Sequence, residues 1–87
     1  MKKIGIIAAM QEEMQEIKNL MIEIKEKNIY ELQFIEGRIK NRECVLVQAG
    51  VGKVNASRCT QILIDNYDIE YIVNVIMEWI KREINNI

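Results

Sequence analysis

Lys3-Ile4-Gly5-Ile6-Ile7-Ala8-Ala9 is an apolar, β-branched run without polar alternation, the pattern of a strand covered on both faces in a parallel sheet. Immediately after it the period changes. Met10, Met14, Ile17, Met21 and Ile24 recur every three or four residues, with Glu12, Glu16, Lys18, Lys25 and Glu26 between them. That spacing predicts an amphipathic helix to about Lys27. Gln11, Glu12 and Glu13 open it, and acids there complement the positive end of the helix dipole.

Downstream, Asn28 to Glu36 alternates apolar or aromatic residues with polar ones and is followed by Gly37, which predicts a half-exposed strand. Arg38 to Arg42 is expected to turn, with Ile39 extending the strand. Glu43-Cys44-Val45-Leu46-Val47-Gln48-Ala49 is a further apolar strand, ending at Gly50-Val51-Gly52. Lys53 to about Tyr67 fits a helix whose inner face is Val54, Ala56, Cys59, Thr60, Leu63 and Ile64. Glu70 to Val75 reads as a fourth strand, and Ile76, Trp79 or Ile80, Ile84 and Ile87 have the spacing of a last helix. Strands alternating with helices imply right-handed crossovers. The expected class is α/β: a mixed, largely parallel sheet of about four strands with about three helices.

The chain has 87 residues, room for one domain with a small core. Twelve Lys and Arg against thirteen Asp and Glu give a net charge of −1, without the clustered basic residues that a nucleic-acid or acidic-membrane partner requires. Neither partner is expected. With no histidine in the sequence, Ser-His-Asp and Cys-His catalysis and histidine-based zinc sites are excluded within this chain. No metal or cofactor is expected. Cys44 and Cys59 stand inside apolar stretches, too far apart for a CxxC pair, and read as small reduced core residues suited to a reducing cytoplasm. The N-terminus is too short in apolar residues for a signal peptide, and no later run reaches the ~18 residues of a membrane span. A cytoplasmic protein is expected, and its small core anticipates a homo-oligomer.

In an open α/β sheet, ligands bind beyond the carboxyl ends of the strands. Three segments are expected there: Ala8 to Glu13, Gly50-Val51-Gly52-Lys53, and Asn74-Val75. Gly50 and Gly52 permit close backbone approach to a ligand, or equally a tight strand-to-helix turn. A phosphate-gripping loop would need glycine at position 47 and Ser or Thr at 54, and both are Val; a dinucleotide fingerprint would need glycine at 55, which is Asn.

MKKIGIIAAMQEEM (residues 1–14), VLVQAGVGKVNAS (residues 45–57) and YIVN (residues 71–74) together resemble the N-terminal part of bacterial methylthioadenosine/S-adenosylhomocysteine nucleosidases, in the nucleoside phosphorylase superfamily. The resemblance covers about residues 1 to 74, with 75 to 87 a divergent C-terminal helix. It implies hydrolysis of the N-glycosidic bond between adenine and a 5′-thioribose, a reaction of methionine salvage, by a homodimeric enzyme without a cofactor. Glu13 matches the family's water-activating carboxylate. A carboxylate suits that task because it takes the water proton while its charge steadies an oxocarbenium-like sugar. Met10 matches a residue packing against the sugar and Val51 an apolar residue on the thioribose side, with Ala9 and Gly52 beside them; for Met10 and Val51 a purely structural role stands equally open.

The resemblance stops after Asn74. The family continues with a Thr-Gly-Ser-Ala-Gly turn, where this chain has Val75-Ile76-Met77-Glu78-Trp79. The family's ribose-gripping glutamate, adenine-stacking aromatic and leaving-group aspartate have no matching positions. The expectation is a shortened relative with little or no activity alone. The alternatives are a non-catalytic self-associating or partner-binding module, and a chain that binds adenine or a nucleoside without cleaving it. Asp65, Asp68 and Glu70 are expected at the opposite sheet edge. The last residues read either as an ordinary core-covering helix or as a substitute cap over an exposed surface.

Overall fold

A computed structural model describes residues 2–30, 32–49 and 56–75. The elements run β1 (Lys3–Ala8), α1 (Gln11–Leu20), β2 (Ile22–Ile29), β3 (Leu32–Ile39), β4 (Arg42–Gln48), α2 (Ala56–Asn66) and β5 (Ile69–Val75). They form one five-stranded sheet in the order β2-β3-β4-β1-β5. β3 is antiparallel to both β2 and β4, while β1 is parallel to β4 and to β5. Four strands therefore point one way and β3 alone reverses, so the sheet is mixed, with two parallel and two antiparallel pairings and five strands where about four were expected. The third helix expected over the last residues lies outside the described residues.

β1 occupies the interior of the sheet, and its sequence shows why. Ile4, Ile6 and Ala8 face the core under α1, with Ile17, Met21, Ile35 and Leu46. Ile7 faces the other core, under α2, with Phe34, Val45, Val47, Cys59 and Leu63. A strand buried on both sides needs apolar residues at every position. Gly5 lets α2 settle close, since a Cβ there would lie 3.1 Å from Ile72 Cγ1 and 3.2 Å from Leu63 Cδ1.

The helix expected to reach Lys27 stops at Leu20. Met21 has extended backbone (φ −87, ψ 147), its amide bonds to the Lys18 carbonyl at 3.1 Å, and the next eight residues form β2. Ile22-Glu23-Ile24-Lys25 satisfies period two as well as the helical spacing, and pairing with β3 decides between them. Ile24, expected inside, is exposed. Ile22 pairs with Arg38 and Lys25 with Glu36, so Glu23 and Ile24 together stand against Gly37. This is a β-bulge, with Glu23 at φ 56. A Cβ on Gly37 would meet Met21 Cε at 2.9 Å and the Ile22 backbone oxygen at 3.0 Å.

The expected turn after Ile39 is a hairpin connection of Lys40 and Asn41, with Lys40 at φ 56. In α2, Cys59 and Leu63 are buried as expected; Ile64 is exposed and Ile62 is buried in its place. Among the described residues no helix is long and apolar enough to cross a membrane.

Candidate active site

The parallel register brings the carboxyl ends of three strands together. Ala8 pairs with Gln48 on one side and with Val75 on the other, and the Ala49 amide donates to the Ala8 carbonyl at 2.8 Å. β1 ends in the middle of this edge. Only Ala9 and Met10 separate it from α1, so the helix's amino end lies where the strand ends converge. Of the two acids there, Glu12 is exposed and Glu13 is 4% exposed.

A buried carboxylate is costly unless hydrogen-bonded. Glu13 Oε1 accepts the backbone amides of Ala9 and Met10, each at 3.1 Å. Met10 is the N-cap, with extended backbone (φ −120, ψ 150), and Glu13 is the third residue of the helix. Its reach back to the N-cap amide is one half of a capping box. Both donors lie at the amino end of the helix, where backbone amides have no partner within the helix. Glu13 is thus held in one pose by groups of its own strand-to-helix corner, with Oε2 as its second acceptor.

Three of the sequence-derived site residues, Glu13, Ala9 and Met10, come together at this corner. Ala9 and Met10 are exposed, Met10 by 48%, so both present surface beside the buried carboxylate. Val51 and Gly52 lie outside the described residues, as does Gly50. The sequence pointed to Met10 as packing against the sugar with Ala9 beside it, and not to their amides as the donors that fix Glu13. The three-residue interval between Met10 and Glu13 at a helix start was the available signal.

The other acids are distant. The Asp68 carbonyl accepts the Lys3 amide at 2.8 Å, which puts it where β1 begins, about 20 Å from the Glu13 end for a strand of this length. Asp65 accepts from Gln61 Nε2 at 2.9 Å, and Glu70 pairs with Arg42 at 3.7 Å. They stand at the opposite edge, as expected. Among the described residues no group of Cys, Asp and Glu side chains is placed to hold a metal ion.

The thiols are also remote from this chemistry. Cys44 is buried under α1 and Cys59 on the inner face of α2, on opposite sides of the sheet. Burial pushes both thiols up from their ordinary range, which suppresses the reactive thiolate. Burial first, and the Glu36 carboxylate second, raise Tyr67. Its hydroxyl is buried without a hydrogen-bond partner, and its ring lies 6.0 Å from that of Phe34.

A family model described as the phosphorylase superfamily matches residues 3–75. The chain belongs to the phosphorylase superfamily. Its relatives within the superfamily include the 5′-methylthioadenosine/S-adenosylhomocysteine nucleosidase of Marinomonas sp. (strain MWYL1), 39% identical over 75 residues, which are 86% of this chain and 32% of the relative. The nucleosidase of Staphylococcus epidermidis is 42% identical over 71 residues, 82% of this chain and 31% of the relative. A solved superfamily structure, the Colwellia psychrerythraea nucleosidase in complex with adenine, superposes with a TM-score of 0.78 at 37% identity, covering 84% of this chain and 30% of that one. The Streptococcus pyogenes nucleosidase in complex with 5-methylthiotubericidin gives 0.78 at 36% identity, covering 84% and 31%. The chain spans about a third of the length of the curated relatives it matches.

Proposed function

We propose that residues 1–74 are the sugar-facing, water-activating part of an N-glycosidic-bond hydrolase acting on methylthioadenosine or S-adenosylhomocysteine. The observation carrying this reading is the posed carboxylate: Glu13, buried at the meeting point of parallel strand ends, with Oε1 held by two amides. In the reaction, Glu13 Oε2 accepts a proton from water as the water oxygen bonds to C1′ of the ribose. The C1′–N9 bond breaks, and its electron pair leaves with adenine, which must be protonated from elsewhere. With Oε1 engaged, the carboxylate cannot rotate freely, and that fixed geometry is what a general base requires. Ala9 and Met10 line the sugar side in this reading, and the resemblance adds Val51 and Gly52 as further substrate-binding residues.

Hydrolysis also needs the proton donor for adenine and the groups that grip the ribose. A missing positioned acid or base forfeits on the order of 10²–10⁴ in rate. The 87 residues alone are therefore expected to turn over little or no substrate. The two unpaired buried cysteines suit a reducing cytoplasm.

Incubating the purified chain with methylthioadenosine and following adenine release by chromatography tests this. Release no faster than a buffer blank is the expected result. Sustained turnover abolished by Glu13→Gln would retain the role of Glu13 and overturn the incompleteness of the site. Turnover indifferent to Glu13→Gln would overturn both.

A further inference from the structure

The last bond between β4 and β1 leads into the carboxylate. The Ala49 amide donates to the Ala8 carbonyl at 2.8 Å. That carbonyl and the Ala9 amide belong to one peptide unit, and the Ala9 amide donates to Glu13 Oε1 at 3.1 Å. Three groups are thus joined in series: a donor just past the end of β4, the peptide unit that closes β1, and an acceptor in the first turn of α1. Both partners in the first bond are held from outside it. Ala8 is wholly buried in the core under α1, and Ala49 packs against the core on the α2 side.

Resonance couples the two ends of a peptide unit. An acceptor drawing on its N–H pushes electron density toward its oxygen, and a donor at its oxygen sharpens the N–H in return. Bonds in such a series strengthen one another by about 10–30% each, and an ionised acceptor draws harder than a neutral one. The Met10 amide reaches the same Oε1 at 3.1 Å, but its peptide unit carries the Ala9 carbonyl, so it stands outside the series.

We propose that Ala49 is a positioning residue for Glu13: its backbone amide, acting through the Ala8–Ala9 peptide, sets how firmly Oε1 is held and so how steadily the second oxygen faces the reacting water. The water's part rests on the nucleosidase reading; the series of bonds does not. Ala49 itself touches no reacting atom in this scheme. It directly precedes Gly50 in the sequence, and the resemblance gives Val51 and Gly52 to the substrate, so a ligand drawing on that segment pulls on the first donor of the relay. A rung that merely held β4 to β1 would take no notice of the charge on Glu13.

Amide nuclear magnetic resonance on the full chain reads the relay from both ends, without substrate or turnover. With Glu13→Gln the Ala49 amide proton should move upfield, although that amide bonds to Ala8 and not to Glu13, while the amide of Val47, two residues back in β4, stays in place. Glu12→Gln removes the neighbouring exposed charge and should leave Ala49 where it was. From the other end, an ester in place of the Gln48–Ala49 amide, introduced by joining synthetic halves at Cys44, removes the first donor. The Ala9 amide proton should then move upfield, and further than that of Met10. An Ala49 resonance unmoved by Glu13→Gln, or moved as far by Glu12→Gln, would overturn the proposal, as would an Ala9 resonance indifferent to the ester. Adenine release enters none of these readings, so failure of the relay and failure of the nucleosidase reading are separate outcomes.

Discussion

Glu13 Oε1 accepts the backbone amide of Ala9 at 3.1 Å, so a side chain in the first turn of α1 holds the residue that follows β1. One carboxylate thereby ties strand to helix where three parallel strands end. Removing it should have a structural signature distinct from any chemical one. Glu13→Ala leaves the Ala9 and Met10 amides without that acceptor and should cost about 1–3 kcal/mol. Glu13→Gln retains an oxygen in place and should cost less. Urea denaturation of the two variants checks the order, and equal stability of Glu13→Ala and wild type would show that the corner needs no tie.

Alkaline pH should destabilise the fold. Burial raises Cys44 and Cys59 above the ordinary thiol value of 9.0 and Tyr67 above 10.0. As pH climbs past those ordinary values, the unfolded chain releases its protons before the folded one does. Stability is thus fully present below about pH 8 and falls as pH rises through 9 and 10 toward the raised folded values. Urea midpoints across this range should decline, and less steeply in Cys44→Ala with Cys59→Ala, each variant being referred to its own value at pH 7.

The two glycines inside strands should differ in tolerance. At Gly37 an added Cβ meets the Ile22 backbone oxygen at 3.0 Å, whereas at Gly5 the nearest atoms are side-chain carbons, Ile72 Cγ1 and Leu63 Cδ1. Side-chain carbons shift more cheaply than a bulged backbone. Gly37→Ala should lose about 1–3 kcal/mol and Gly5→Ala less, by urea or thermal denaturation; the reverse order would count against the bulge geometry.

Adjacent residues of α2 should separate by burial. Leu63 is fully buried and Ile64 is 55% exposed. Leu63→Ala should cost about 2–5 kcal/mol, and Ile64→Ala should stay within about 0.5 kcal/mol. Comparable losses at both positions would mean that the helix presents another face to the sheet.

β1 and β4 were legible because interior strands covered on both faces must be apolar at consecutive positions, and Ile4 to Ala8 and Cys44 to Val47 are; β5, at the border, was legible from its β-branched and aromatic run. β2 was not. Its Glu and Lys residues have good helix propensity, its isoleucines satisfy two periods at once, and only pairing with β3 makes it a strand. In α2 the sequence offers Ile62, Leu63 and Ile64 in succession, and local spacing does not decide which of the outer two turns inward. At the candidate site the carboxylate was legible as a residue type at a helix start. Its amide partners carry no side-chain signature, and only the interval from Met10 to Glu13 hinted at them.

The position of β1 between β4 and β5 has a consequence for how the molecule is made. β2, β3 and β4 are joined by minimal connections and can zip together locally, but Ile4 meets Cys44 and Tyr71 only when distant stretches of chain have arrived. At the ~5–20 residues per second of synthesis, the first strand waits seconds on the ribosome for its neighbours. An apolar strand is thus made before both of its sheet neighbours and sheltered only once they have followed. That interval is when a chaperone, or a second nascent chain, has the best chance to take hold of it.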